Sequence, residues 1–285
     1  MNLKKVLPVL ALILGLAGGI LHGLDLAKGY DLAGLPTDTP WFMILCVLSV
    51  AAVPLCIICA LQYRQTSHKY KAFEAYLCGG GDLHKTVAVL CAAVFALCGL
   101  FGLYMSAVHL TDLPAFERFT LIPLYLLALL SCLAFVRLGS HAAVGGVSEQ
   151  SANLIFIPIF WAALDMVNTF KSNGNVPLEG QFMFELVAAM SLLCALNAYA
   201  RFLFALPRPR LFAGFAALGV VFGLVGGVGS LLAYLMGSER VDLLFLPRSG
   251  CYIVCALWLA YQLSRMAVSS EPEGPALRQK KQTVQ

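Results

Sequence analysis

Apolar residues run along this chain in eight blocks, near 6–24, 41–62, 86–110, 119–137, 153–170, 181–204, 211–236 and 249–267. Each block is long enough to cross a bilayer as a helix, which takes about 20 residues. The interruptions carry charge, glycine or proline: Gly29 to Pro40, Tyr63 to Lys85, Thr111 to Arg118, Leu138 to Asn153, Lys171 to Gly180, Ala205 to Arg210 and Gly237 to Pro247. The pattern predicts an all-α fold, a polytopic bundle of eight transmembrane helices. One transmembrane domain takes residues 1–268, and the polar stretch from Ser269 to Gln285, with Glu271, Pro272, Gly274 and Pro275, reads as a solvated, disordered tail.

Composition agrees with the pattern. Of 285 residues, 60% are hydrophobic and 12% charged, where a soluble domain carries about 25% charged residues. Eight spans consume about 160 residues, so no soluble domain of ordinary size fits in the loops. These figures exclude a soluble enzyme, a nucleic-acid binder and a receptor with a large folded module outside the membrane.

The few charges set an orientation. If the spans alternate, the side of the N-terminus holds Lys4, Lys5, Arg64, Lys69, Lys71, Lys85, Arg137, Arg201, Arg208, Arg210, Arg265, Arg278, Lys280 and Lys281. The other side holds Lys28, Arg118, Lys171, Arg240 and Arg248, and the two groups together account for all 19 Lys and Arg. Basic residues concentrate in cytoplasmic loops. The expectation is a multi-pass protein of the cytoplasmic membrane with both termini inside. A competing reading takes Lys4-Lys5, the first apolar run and Ala17-Gly18-Gly19 as a cleaved secretory signal. The run continues apolar to Leu24, which favours a retained span.

Nine of the ten cysteines lie in apolar stretches and only Cys78 in a polar loop. They read as small buried hydrophobes rather than a disulfide framework. Cys56-x-x-Cys59 has a redox or zinc spacing, but no His or second pair stands nearby, so no metal site is expected. Gly-Leu-x-Gly recurs at Gly15–Gly18, Gly99–Gly102 and Gly223–Gly226, each followed past its span by Leu-Pro. Glycines three apart allow close helix approach, whether by convergent packing or through a parallel repeat of helical hairpins. Pro8, Pro54, Pro123 and Pro158 fall inside spans 1, 2, 4 and 5, where proline permits a kink.

Only two carboxylates fall inside predicted spans, Asp165 in span 5 and Glu185 in span 6. Counted from the helix ends, both sit about 6–8 Å below the same face of the membrane. Acids at matching depth on consecutive helices could share a proton or hold a cation, and intramembrane ionisable groups mark functional sites by default. Trp161, Asp165 and Asn168 share one face of span 5 at i, i+4 and i+7. The bland alternative leaves both acids at the interface, with Asp165 paired to Lys171. A second candidate is the rim formed by His22 and Asp25 at the end of span 1 and His109 and Asp112 at the end of span 3, a repeated His-x-x-Asp spacing. Imidazoles on two helices at one depth could ligate haem, although such groups are more often plain polar helix ends. With Asp31, Asp38, Glu117, Glu179, Glu239 and Asp242 this rim is acidic and favours cations.

On the opposite side, Gly79 to Thr86 nearly spells a phosphate-binding loop, but His84 replaces its second glycine and no strand precedes it. Asp82 reads instead as an N-cap for span 3. Tyr70, Phe73 and Leu77 suggest a short amphipathic helix lying on the leaflet. Asn197 shares a face with Arg201, which with Arg208 and Arg210 makes a basic patch that reads as a set of lipid-headgroup anchors.

Pro158-Ile-Phe-Trp161, Glu185-Leu-Val-Ala and Tyr199-Ala-Arg-Phe resemble a pattern in uncharacterised multi-span proteins of anaerobic Gram-positive bacteria, over spans 5 and 6 only. That resemblance implies no activity. The span count is also similar to that of membrane anchor subunits of bacterial molybdoenzymes, a comparison no motif carries. The favoured expectation is a transporter of a small cation or neutral solute using Asp165 and Glu185, with the bilayer and that solute as partners. The alternative is an anchor subunit, or a sensor or assembly protein without transport. No cofactor is expected beyond the haem option at His22 and His109. No paired nucleophile and base stands out, so intramembrane catalysis is disfavoured.

Overall fold

The structure, a computed structural model, describes residues 3–29, 39–63, 72–79, 81–111, 113–173, 180–238, 240–244 and 246–268. Among them there is no strand, and ten helices follow in order. They are α1 (Leu3–Lys28), α2 (Trp41–Ala60), α3 (Ala72–Tyr76), α4 (Gly81–Val108), α5 (Ala115–Val144), α6 (Glu149–Asn153), α7 (Phe156–Asn173), α8 (Gly180–Leu203), α9 (Pro209–Leu235) and α10 (Leu246–Val268). Eight of them are long and apolar enough to cross a membrane, which makes this an integral membrane protein. The tail from Ser269 lies outside the described residues, as do Asp31, Asp38, Asp112, Glu179 and Glu239.

Six helices close a ring in which α4 packs on α5, α5 on α7, α7 on α8, α8 on α9, α9 on α10 and α10 back on α4. The α1–α2 hairpin lies outside this ring, with α1 against α9 and α10, and α2 against α1 and α9. Helix α9 is therefore central: 72% of its apolar stretch is buried, against 22% for α2. Its sequence allows this, because Gly219, Gly223, Gly226, Gly227 and Gly229 and four alanines strip bulk from its surface.

The three Gly-Leu-x-Gly motifs all mark close helix contacts, but with dissimilar partners. Gly15 and Gly18 face Leu224 and Val225 of α9, Gly99 and Gly102 face Leu129 and Tyr125 of α5, and Gly223 and Gly226 face α10 and α8. All three touch the next span in sequence, but only the α4 motif has that span as its sole partner: Gly18 also meets Leu48 of α2, while the α1 and α9 motifs pack as closely on α9 and α8. The shared pattern thus serves close packing, and it does not reproduce one hairpin geometry.

Aromatic rings fill the middle of the helix ring. Phe95 of α4 stands edge-on to Trp161 of α7 at 5.2 Å and tilted on Phe135 of α5 at 5.0 Å. Phe135 meets Trp258 of α10 at 5.5 Å, and Trp258 meets Tyr199 of α8 at 6.4 Å. Such offset and edge-to-face pairs suit the ring quadrupoles.

Three local expectations change. Tyr70 lies outside the described residues, and the segment around Phe73 is a five-residue helix, α3, whose Phe73 and Tyr76 pack edge-on against Tyr199 and Phe202 of α8. It caps the end of the ring instead of lying on a leaflet, because its aromatic face has a protein partner to bury against. Asp82 stands in the first turn of α4, which begins at Gly81, where the helix dipole favours an acid. Pro158 falls in the first turn of α7, where a missing N–H costs nothing, so it forces no kink.

A Cβ at Gly102 would come 2.3 Å from the ring of Tyr125, whereas one at Gly214 would meet only the Ala60 methyl at 3.7 Å. Gly102→Ala is expected to destabilise the purified protein by about 1–3 kcal/mol through overpacking. Gly214→Ala should leave it unchanged or slightly more stable, as alanine is the better helix former. Thermal unfolding of the two variants in detergent checks the contrast.

Candidate functional site

Helix α10 starts three residues before the predicted edge of span 8, and this decides the site. The expectation placed Arg248 in a loop, but it lies inside α10 and is only 5% exposed. Three helices converge on it. Its Nε stands 2.6 Å from Asp165 Oδ1 of α7, and its Nη2 stands 3.9 Å from Glu185 Oε2 of α8. The same Nη2 donates to Thr169 Oγ1, one turn along α7 from Asp165. Tyr252, one turn along α10, accepts a bond from Arg248 Nη2 at 3.3 Å and donates its own hydroxyl proton to Asp165 Oδ2.

Asp165 and Glu185 do come together, but as two carboxylates around one guanidinium rather than as a pair facing each other. The alternative partner Lys171 is exposed on α7, and Asp165 pairs with Arg248 instead. Asp165 is completely buried and engaged by both Arg248 and Tyr252, while the Glu185 side chain keeps 15% of its surface open. Of the two acids, Glu185 is the one nearer the surface.

Trp161 and Asn168 are buried on the same face of α7 as Asp165. Asn168 accepts a 2.7 Å bond from Thr120 of α5, and Trp161 lies edge-on to Tyr252 at 6.2 Å. Tyr125 of α5 donates to the Leu244 carbonyl at 2.6 Å, pinning the turn that leads into α10. Thus four helices, α5, α7, α8 and α10, are stitched at one end of the ring.

The rim candidates are not assembled into one site. His22 is wholly buried, its ring 5.2 Å from that of Phe184 and pressed against the backbone at Gly229. His109 is exposed in the turn after α4. Asp25 is buried, with Arg240 the basic group whose charge reaches it, and Asp112 lies outside the described residues. Among the described residues no three potential metal ligands cluster.

A second polar group faces the ring's interior at the end where α1 begins and α10 ends, and the sequence expectation missed it. His84 of α4 is buried, 3.2 Å from the Gly79 carbonyl through Nδ1 and 3.5 Å from Gln262 Nε2 through Nε2. Its ring stands edge-on to Trp258 at 5.5 Å and Tyr261 at 5.1 Å. The Tyr199 hydroxyl and Gln262 Oε1 are buried nearby in the ring without a hydrogen-bond partner. Arg248 and Gln262 are fourteen residues apart on α10, as are Glu185 and Tyr199 on α8. Two polar stations therefore flank the aromatic plug, about 21 Å apart along both helices. The signal for the missed residues was present: Arg248, Tyr252, Cys255 and Gln262 recur at helical spacing on one face of span 8.

Cys78, in the turn before α4, is also buried, and burial pushes its thiol up to about 12, with Glu74 adding to the effect and Arg265 opposing it. It remains a protonated thiol at physiological pH and is a poor nucleophile. No known protein family, curated protein or solved structure matches the chain.

Removing one partner of a buried ion pair strands the other's charge, which costs about 3–5 kcal/mol. Asp165→Leu and Arg248→Met should each destabilise the protein by that order. The double variant should lose clearly less than the sum, because it removes both charges of the closest pair together. A double-mutant cycle on thermal unfolding measures the coupling, and strict additivity would deny the pairing.

Proposed function

We propose that this integral membrane protein carries protons or small monovalent cations, with Glu185 as the exchangeable acid. One observation carries the reading: the Arg248 cluster holds more carboxylate than it needs for its own neutrality. A pin that merely fixes helix register requires one acid per guanidinium, and Asp165 with Tyr252 fills that role. Glu185 stands at 3.9 Å from Arg248, a loose contact, and retains open surface. It can therefore give up its ionic contact and take a proton or cation without leaving a buried guanidinium alone.

The second station and the aromatic plug support the same reading. A carrier needs polar groups on both sides of a barrier, and the rings of Phe95, Phe135, Trp161 and Trp258 form such a barrier between Glu185 and the His84–Gln262 pair. The arrangement fits an occluded state of a carrier better than an open pore. Asp165 acts in this scheme as the fixed counter-charge of Arg248, which replaces the simpler idea of two equivalent acid ligands. The distribution of Lys and Arg supports both termini on the cytoplasmic side of the inner membrane.

Proteoliposomes loaded with a pH-sensitive dye test the proposal. The wild-type protein is expected to dissipate an imposed proton or potassium gradient faster than protein-free vesicles. Glu185→Gln should abolish the excess flux while leaving thermal stability near that of the wild type. Wild-type flux equal to that of empty vesicles, or an Asp165→Asn/Glu185→Gln double variant that transports normally, would overturn it.

A further inference from the structure

At the end of the bundle where α1 begins and α10 ends, three segments meet at Tyr63. Its hydroxyl donates to the Lys4 carbonyl of α1 at 3.0 Å, its own carbonyl accepts from Arg210 Nε of α9 at 2.7 Å, and the Lys4 ammonium stands 5.6 Å from the centre of its ring. Directly beside this knot, α2 and α9 part to leave an apolar groove of about 210 Å³, lined by Ile57, Leu61, Leu211, Phe215 and Leu218 around Gly214, with Arg210 at its mouth. Gly214 supplies no side chain and Ala60 opposite only a methyl, so the groove is built by missing bulk on both walls.

We infer that this groove binds one anionic phospholipid, with an acyl chain between α2 and α9 and its phosphate at Arg210. Charge complementarity selects the occupant. Arg210 lines the groove and is exposed, Arg208 is exposed two residues before it at the start of α9, and Lys4 stands on Tyr63, while the walls are aliphatic and aromatic. From Arg210 to Leu218 the groove runs about 12 Å along the helix, close to the ~15 Å depth of one leaflet's hydrocarbon. A headgroup at the arginines thus puts its chain at the correct depth. A second copy docked here would bring the same arginines face to face, which disfavours a dimer on this face. Because Arg210 already holds the Tyr63 carbonyl through Nε, its guanidinium is oriented before the lipid arrives, with the Nη groups left to reach the phosphate.

Native mass spectrometry of the full-length protein, released from detergent with added phosphatidylglycerol or phosphatidylcholine, tests the site. Wild type should retain phosphatidylglycerol in preference to phosphatidylcholine. Arg208→Gln/Arg210→Gln should weaken that preference by about fivefold per charge removed. Gly214→Leu should reduce retention of both lipids by filling the groove, and Arg210→Lys, which keeps the charge but loses the Tyr63 bond, should fall between. Melting in detergent should rise with phosphatidylglycerol and not with inorganic phosphate. Equal retention of the two lipids, undiminished retention by Gly214→Leu, an equal shift with inorganic phosphate, or a dimer that Gly214→Leu dissociates would each overturn the inference.

Discussion

The structure depends on where a guanidinium can be placed inside lipid. Arg248 is buried within its helix bundle, and an isolated charge there is costly. Its environment must therefore bring opposite charge and acceptors to it, and it draws them from α7 and α8 as well as from its own helix. The rotation of α7 follows, because Asp165 and Thr169 must face inward together. So does the position of α8 at Glu185, and the start of α10 is held by the Tyr125 bond to Leu244. One unavoidable electrostatic demand thereby sets the register of four helices at one end of the ring.

The rest of the ring needs a different source of cohesion, since lipid tails are as apolar as leucine and give helices little reason to associate. Here it is close packing at small residues and ring contacts. The glycine- and alanine-rich surface of α9 lets α1, α8 and α10 approach its backbone, and the aromatic column from Trp161 to Tyr199 fills the volume the ring encloses. Dispersion between well-fitted surfaces accumulates where hydrophobic driving force is lacking. The plug also separates the two polar stations, so the same rings that hold the bundle closed would form the barrier of a carrier.

The two ends of the bundle treat their arginines in opposite ways. Arg248 is drawn inward and neutralised by acids. Arg210 and Arg265 instead donate to backbone carbonyls, of Tyr63 and Cys78, and keep their positive charge. A cation satisfied by a neutral carbonyl still attracts anions. That difference separates a site that manages charge inside the protein from a surface that presents it to the membrane.

Hydropathy alone determined the all-helical class and the eight spans, because in lipid every backbone polar group must be satisfied within its own helix, which makes each span a local property. Span edges were legible to within several residues, and the inward face of Trp161, Asp165 and Asn168 followed from helical spacing. The decisive residue was masked by its position: Arg248 shares a helical face with Tyr252 and Gln262, but it lies beside Pro247 at the edge of an apolar run, and a charge at a helix edge reads as solvated. The burial of α3, the separation of His22 from the exposed rim and the pairing of His84 with Gln262 were likewise hidden. Sequence spacing reports which residues share a face of one helix. Which helices then face each other, and which charges must therefore neutralise one another, depends on packing between segments as far apart as residues 84 and 262, and only the tertiary structure decided it.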